Sequence, residues 1–165
     1  MGKDLNQYVS VYKEQLSVGD IKEAYTGLVK YVTRLGSVLS RNLSKDYTFG
    51  GLFQGYMDYT YFYYTNDFLK KKKLKMSLVL NHSTMQFEIW LLGQTLPVQK
   101  KYWEYFKNTK WNKHRSTMPK YSILEAVIIE TPNFNDLATL SELIESSLVK
   151  VSKNIMLDIT ASKLD

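Results

Sequence analysis

Two helical stripes open the chain. Leu5, Tyr8, Val9, Tyr12 and Leu16 fall at the spacing of one helix face, and Gly19 is placed to end that helix. Asp20 and Glu23 then form a D-x-x-E capping pattern ahead of a longer stripe. Ile21, Ala24, Tyr25, Leu28, Val32, Leu35, Leu39 and Leu43 mark one face for about six turns. The tight turn between the stripes predicts an αα-hairpin over residues 1–45. Residues 44–55 break the period with Ser, Asp and three glycines, and read as a turn leading into a strand.

Strand-like segments follow. Residues 56–65, YMDYTYFYYT, have high β-propensity. A helical turn or two is expected over 66–73, starting near Asn66-Asp67. Residues 74–81 and 85–92 read as a β-hairpin around His82-Ser83-Thr84, closed by Gly93. Thr95 can cap a helix with Pro97 in its first turn, running to about Asn108. Residues 109–121 are polar, basic and irregular. Residues 122–130 form a further strand ended by Thr131-Pro132. Asn135 or Asp136 caps a last helix with Leu137, Leu140, Ile144, Leu148, Val151 and Ile155 on one face, with a frayed tail after about Ile159.

The resulting order, α-α-β-(α)-β-β-α-β-α, predicts an α+β (mixed α/β) domain with a four-stranded mixed sheet and helices on both faces. The step from 85–92 to 122–130 is long enough for a parallel crossover. No repeat or linker interrupts 1–165, so one domain is expected, with the 1–45 hairpin packed on a 56–159 core.

The hairpin allows a finer reading. With Asn81 opposite Gln86, Leu80 faces Phe87, Leu78 faces Ile89 and Met76 faces Leu91, and all share one apolar side. The other side holds Lys75, Ser77, Val79 and Asn81 with Gln86, Glu88, Trp90 and Leu92. A one-residue slip would exchange the faces and ruin the core. If the second face is open, it is a polar surface with one indole. If helices cover it, Glu88 must find partners, because an unpaired buried carboxylate is costly. If it is partly covered, Asn81, Glu88 and Trp90 make a pocket wall, with His82 at the hairpin tip.

Composition narrows the chemistry. The 165 residues contain no cysteine, which excludes disulfides, thiolate zinc sites and a cysteine nucleophile. The first residues form no apolar leader, and no run approaches the roughly 20 apolar residues of a membrane span. Asn6 stands where a myristoylation pattern on Gly2 wants Ser or Thr. A cytoplasmic, non-membrane protein is the expectation.

The sequence lacks H-E-x-x-H, G-x-S-x-G and a strand-borne G-x-G-x-x-G, and Gly50-Gly51 is not part of a phosphate loop. No metal and no cofactor are expected. Acid–base work by Glu88 with His82 or a tyrosine would require a pocket.

Charge is uneven. Residues 66–121 hold 12 Lys/Arg against 3 Asp/Glu, so +9 of net charge sits in a chain whose total is +6. Lys70–Lys73 and Lys75 form one run. Lys100, Lys101, Lys107, Lys110, Lys113, His114, Arg115 and Lys120 form another, with Trp111 and Tyr121 interleaved. Lys107, Lys110, Lys113, His114 and Arg115 are therefore phosphate-binding candidates for nucleic acid or another polyanion. A solvated, solubilising surface is the plainer alternative.

Residues 81–103, NHSTMQFEIWLLGQTLPVQKKYW, resemble an uncharacterised bacterial family with an N-H…F-E-x-W-L-x-G…Q…Y-W run. The matching positions are Asn81, His82, Phe87, Glu88, Trp90, Leu91, Gly93, Gln99, Tyr102 and Trp103. That resemblance implies the fold and no particular activity. The element order also resembles the restriction-endonuclease-like core. Those nucleases place an Asp and then Glu-x-Lys on successive hairpin strands to bind Mg²⁺. Here Trp90 stands two residues after Glu88, and the preceding strand supplies no acid.

The functional expectation is a non-catalytic binding or interaction module, with a homodimer as one form of it. The alternatives are polyanion binding through residues 70–120 and a small-molecule pocket or enzyme around Glu88 and Trp90.

Overall fold

The computed structural model describes residues 2–165. Its elements are α1 (Leu5–Val18), α2 (Asp20–Asn42), β1 (Thr48–Phe53), β2 (Tyr59–Thr65), α3 (Asp67–Lys71), β3 (Leu74–Asn81), β4 (Gln86–Gly93), α4 (Leu96–Phe106), β5 (Leu124–Ile129) and α5 (Leu137–Ser162). The strands form one five-stranded sheet in the order β1-β2-β3-β4-β5, and every neighbouring pair is antiparallel.

The expected four-stranded mixed sheet is thus corrected in two ways. First, the glycine-rich segment after residue 47 is itself a strand. β1 pairs with β2 through Thr48↔Thr65 and Phe53↔Tyr61, and the ladder shifts between Phe49 and Leu52, where Gly50 and Gly51 lie. Glycines inside a strand often mark such a bulge. Second, β5 is antiparallel to β4, with Leu91↔Leu124 and Phe87↔Ile129 as partners. α4 leaves the end of β4, and residues 107–123 return to that same end. The return is anchored by the Ile123 N–H, which donates to the Leu91 carbonyl at 2.7 Å. The Asn112 side-chain amide donates to the Ile123 carbonyl at 2.9 Å.

The β3–β4 register agrees with the hairpin reading: Asn81↔Gln86, Leu80↔Phe87, Leu78↔Ile89 and Met76↔Leu91. These side chains, with Phe62 and Tyr64 of β2 and Leu124 of β5, form one face of the sheet. They pack against Tyr31, Val32, Leu35 and Leu39 of α2 and Leu140, Ile144, Leu148, Ile155 and Ile159 of α5. The Tyr64 hydroxyl, fully buried in this layer, shares a 2.7 Å hydrogen bond with Ser152 Oγ, so its polar end is satisfied.

α5 begins at the Asp136 cap and runs through Ser162, with the Leu164 N–H held by Ser162 Oγ. It therefore continues three residues past the expected fraying point.

The amino-terminal helices also differ from expectation. Gly19, with φ of 93°, separates α1 from α2, and α2 has no side-chain cap. Asp20 lies in the first turn of α2, not at its cap. α2 packs on the sheet, whereas α1 buries none of its residues. Leu5, Tyr8 and Tyr12 on its apolar stripe are more than half exposed. Among the described residues, no helix is long and apolar enough to cross a membrane.

Gly93 fixes how α4 leaves β4. Its N–H donates to Gln99 Oε1 at 3.2 Å, and a Cβ there would stand 2.6 Å from the Gln99 backbone nitrogen. Gly93→Ala must therefore push the first turn of α4 off the sheet. It should cost about 2 kcal/mol, measured as a lowered urea midpoint with an unchanged slope.

Candidate functional site

Among the described residues, the packed layer on the sheet face opposite α2 and α5 is made of strand residues alone. Alternation along the strands sends Tyr59, Tyr61 and Tyr63 of β2 to this side, with Val79 of β3 and Trp90 and Leu92 of β4. The floor of this layer is closed, with Ser77 1% and Trp90 6% exposed.

Above the floor lies a cleft of about 480 Å³. Seven aromatic rings line it: Phe53, Tyr56, Tyr59, Tyr61, Tyr63, Trp90 and Tyr121. Phe53 and Tyr61 stack at 4.9 Å with 10° between planes, Tyr61 meets Tyr63 edge-on at 5.4 Å, and Tyr59 meets Trp90 edge-on at 5.0 Å. Tyr56 and Tyr121, 96% and 51% exposed, stand at the rim.

A buried hydrogen-bonded group sets the floor. The Trp90 indole N–H donates to Glu88 Oε2 at 2.6 Å, and the Asn81 side-chain amide donates to Glu88 Oε1 at 3.1 Å. Asn81 Oδ1 in turn accepts from the Ser83 N–H in the hairpin turn at 3.0 Å. Glu88, 5% exposed, thus meets its need for partners with neutral N–H donors, and it locks the indole plane through a charge-assisted bond. Its carboxylate is not among the cleft-lining groups, so it orients Trp90 and does not face the space.

One wall is the connection from β1 to β2. Gly55 has φ of 74°, and a Cβ there would meet the Tyr59 carbonyl at 2.1 Å, so only glycine fits this turn. Tyr25 of α2 donates its hydroxyl proton to the Gly55 carbonyl at 3.0 Å. Asp58 Oδ1 accepts from the Tyr56 and Tyr59 N–H groups at 2.9 and 2.7 Å. The Tyr56 bond and then the Tyr59 bond hold its carboxyl below the ordinary range.

His82 belongs to the support of this wall and not to the cleft. Its Nε2 lies 2.7 Å from Thr60 Oγ1, and Thr60 sends its single hydroxyl proton to the Gln54 carbonyl at 2.9 Å. The neutral ring therefore carries its proton on Nε2 and donates it. The ring also packs on Tyr25.

The four pocket candidates thus divide. Asn81, Glu88 and Trp90 form one group with the indole on the cleft, and His82 braces the wall from the other side. Sequence spacing does not single out Phe53, Tyr61 or Tyr63 as cleft residues, and it marks Tyr121 only as an aromatic interleaved with the basic run. The β-alternation of YTYFYYT was the signal available for the two β2 tyrosines.

The phosphate-binding candidates follow directly on α4, and two of the five are paired with carboxylates. Lys107 pairs with Glu104 at 2.5 Å, and Arg115 pairs with Glu125 at 3.0 Å. Ser122 Oγ also donates to Glu125, at 2.9 Å. Lys110 lies over the Trp111 ring, and Lys113 and His114 are exposed without recorded partners. What the basic segment does supply to the cleft is Tyr121, with Lys120 over its ring at 5.0 Å. Among the described residues, no three His, Cys, Asp or Glu side chains gather in a way that could hold a metal ion.

Electrostatics differ along the cleft. At one end Tyr59 is raised above its ordinary pKa by burial and then by the Glu125, Glu88 and Asp58 carboxylates. At the other, burial and then the Tyr61 hydroxyl push Tyr63 up to about 12. Both phenols therefore remain neutral donors at physiological pH.

The fold and the cleft define the class: an α+β domain built on an antiparallel meander, with one face under helices and an aromatic cleft on the other. The chain matches the family described as Domain of unknown function (DUF7000) over residues 5–159 and belongs to it. No curated protein and no solved structure matches it. The quoted run from Asn81 to Trp103 serves both halves of this design. Asn81, Glu88 and Trp90 build the cleft floor, and Gly93, Gln99 and Tyr102 seat α4.

Two outcomes follow. Glu88→Ala leaves one buried and one half-buried N–H donor unpaired and should cost about 2 kcal/mol by urea unfolding. Glu88→Gln keeps one acceptor and should cost about half as much. His82 titrates below its ordinary 6.5 because burial outweighs the attraction of Asp58. The unfolded chain therefore binds this proton more readily, and stability should fall as pH drops below about 6.5 towards the lower folded value. His82→Gln, which retains a side-chain donor, should flatten that part of the stability–pH curve.

Proposed function

We propose that this is a non-catalytic binding domain whose cleft holds a small organic molecule with a flat ring system. The observation that carries the reading is the combination of a buried, hydrogen-bonded floor with ring faces left open to a 480 Å³ space. That volume lies within the roughly 300–1,000 Å³ of ligand sites. A cluster of aromatics serving only as packing would close on itself. Here the stacked Phe53–Tyr61 pair forms a wall and Trp90 a fixed floor. Stacking on such surfaces contributes about 0.5–1.5 kcal/mol per ring pair beyond area burial. The neutral tyrosine hydroxyls add directional donors.

N-phenyl-1-naphthylamine, an uncharged fluorophore with a flat naphthalene system, tests this directly. It should bind with one saturable site per chain and micromolar affinity. Ser77→Phe and Leu92→Trp, two independent ways of filling the cleft from its floor, should each remove that site while the far-ultraviolet circular dichroism is retained. Binding that survives both substitutions would place the probe elsewhere and contradict the reading.

A further inference from the structure

We infer that the cleft selects a ring-bearing ligand with an anionic group, carboxylate or sulfonate in chemistry, and that Lys75 receives that group at the Tyr63 end. The inference rests on the cleft being a ligand site and adds the ligand's charge and orientation.

Several other cations already have partners. Lys107 is paired with Glu104, Lys72 donates to the Leu164 carbonyl at 2.8 Å, and Lys101 donates to the Asp165 carbonyl. Arg115 is committed to Glu125. Lys75 is different. It shares the open face with Ser77, opposite Leu92 of β4; both of those neighbours line the cleft, and Lys75 stands just outside that lining. Its ammonium sits over the Tyr63 ring, 3.6 Å from the centroid. Among the described residues it makes no ion pair and no side-chain hydrogen bond.

A cation on an aromatic face gains some attraction from the ring, but that contact leaves its three N–H donors without an acceptor. Burial lowers the Lys75 pKa with no carboxylate opposing the shift, as expected for a charge short of counter-charge.

The two ends of the cleft are unlike. The Tyr59 end lies in the field of Asp58, Glu88 and Glu125, which disfavours an anion there. The Tyr63 end offers two phenols, Tyr61 and Tyr63, with the half-buried Lys75 ammonium behind the Tyr63 ring. A flat molecule stacked along the Trp90 floor would place its negative group on Lys75 and its apolar end towards Tyr59. The competing cation is Lys120 over Tyr121. It is fully exposed, so solvent and salt screen it.

The test compares 8-anilinonaphthalene-1-sulfonate with N-phenyl-1-naphthylamine, which share one ring skeleton and differ by the sulfonate. Both are titrated into the wild-type chain and into Lys75→Met, Lys75→Arg and Lys120→Met. Wild type should prefer the sulfonate. Lys75→Met should reduce that preference about tenfold and leave affinity for the neutral probe unchanged. Lys75→Arg should restore most of it, and Lys120→Met should leave it alone.

An unchanged preference in Lys75→Met, or a loss that follows Lys120→Met instead, would overturn the assignment while the cleft remained a binding site. A wild-type chain that binds neither probe in a way Ser77→Phe abolishes would overturn both.

Discussion

The register of the β3–β4 hairpin decides what each face of this sheet presents. With Leu78 opposite Ile89, the even positions of β3 and the odd positions of β4 point at α2 and α5. Ser77, Val79, Glu88, Trp90 and Leu92 are then forced to the other side. β2 follows the same alternation through Phe62↔Leu78, which buries Phe62 and Tyr64 and turns Tyr59, Tyr61 and Tyr63 outward. The cleft is thus a consequence of the core. A slip by one residue would exchange both sets and lose both faces.

Placing a carboxylate on such a face is costly unless its oxygens are bonded. Glu88 is accommodated because two neighbours along the hairpin, Asn81 and Trp90, aim neutral donors at its two oxygens. The same bonds remove rotational freedom from the indole before any ligand arrives, which reduces the ordering cost of binding. The wall is prepared in the same way. Gly55 permits the turn; Tyr25, Thr60 and Asp58 bond to its backbone, and His82 bonds to Thr60. Preparation of both floor and wall distinguishes this cleft from a surface where aromatic residues merely meet.

Much of this was legible in the chain because strand alternation is a local signal. The register of residues 74–92 and the two-faced hairpin came from apolar spacing alone, as did the Asn81, Glu88 and Trp90 group. Other features depend on distances that spacing does not encode. β1 is short, and its Gly50-Gly51 bulge erases the alternation that would announce a strand. The direction of β5 depends on whether residues 107–123 cross the sheet or double back, and connection length permits both. Two cations of the basic segment, Lys107 and Arg115, meet carboxylates, Glu104 one helical turn away and Glu125 on β5. Tyr121 joins the cleft because the returning segment delivers it beside Tyr59 at 6.5 Å.

The central claim is that the open face of the meander binds a flat ligand on Trp90. The three tryptophans provide their own controls, since Trp103 is buried in α4 and Trp111 donates to Asp158 away from the cleft. The most direct measurement is a ¹H–¹⁵N spectrum of the three indole N–H groups during titration with N-phenyl-1-naphthylamine. The account predicts a saturable shift of the Trp90 resonance, with those of Trp103 and Trp111 unmoved. A Trp90 resonance that stays fixed at saturation, or three that drift together without saturating, would contradict it.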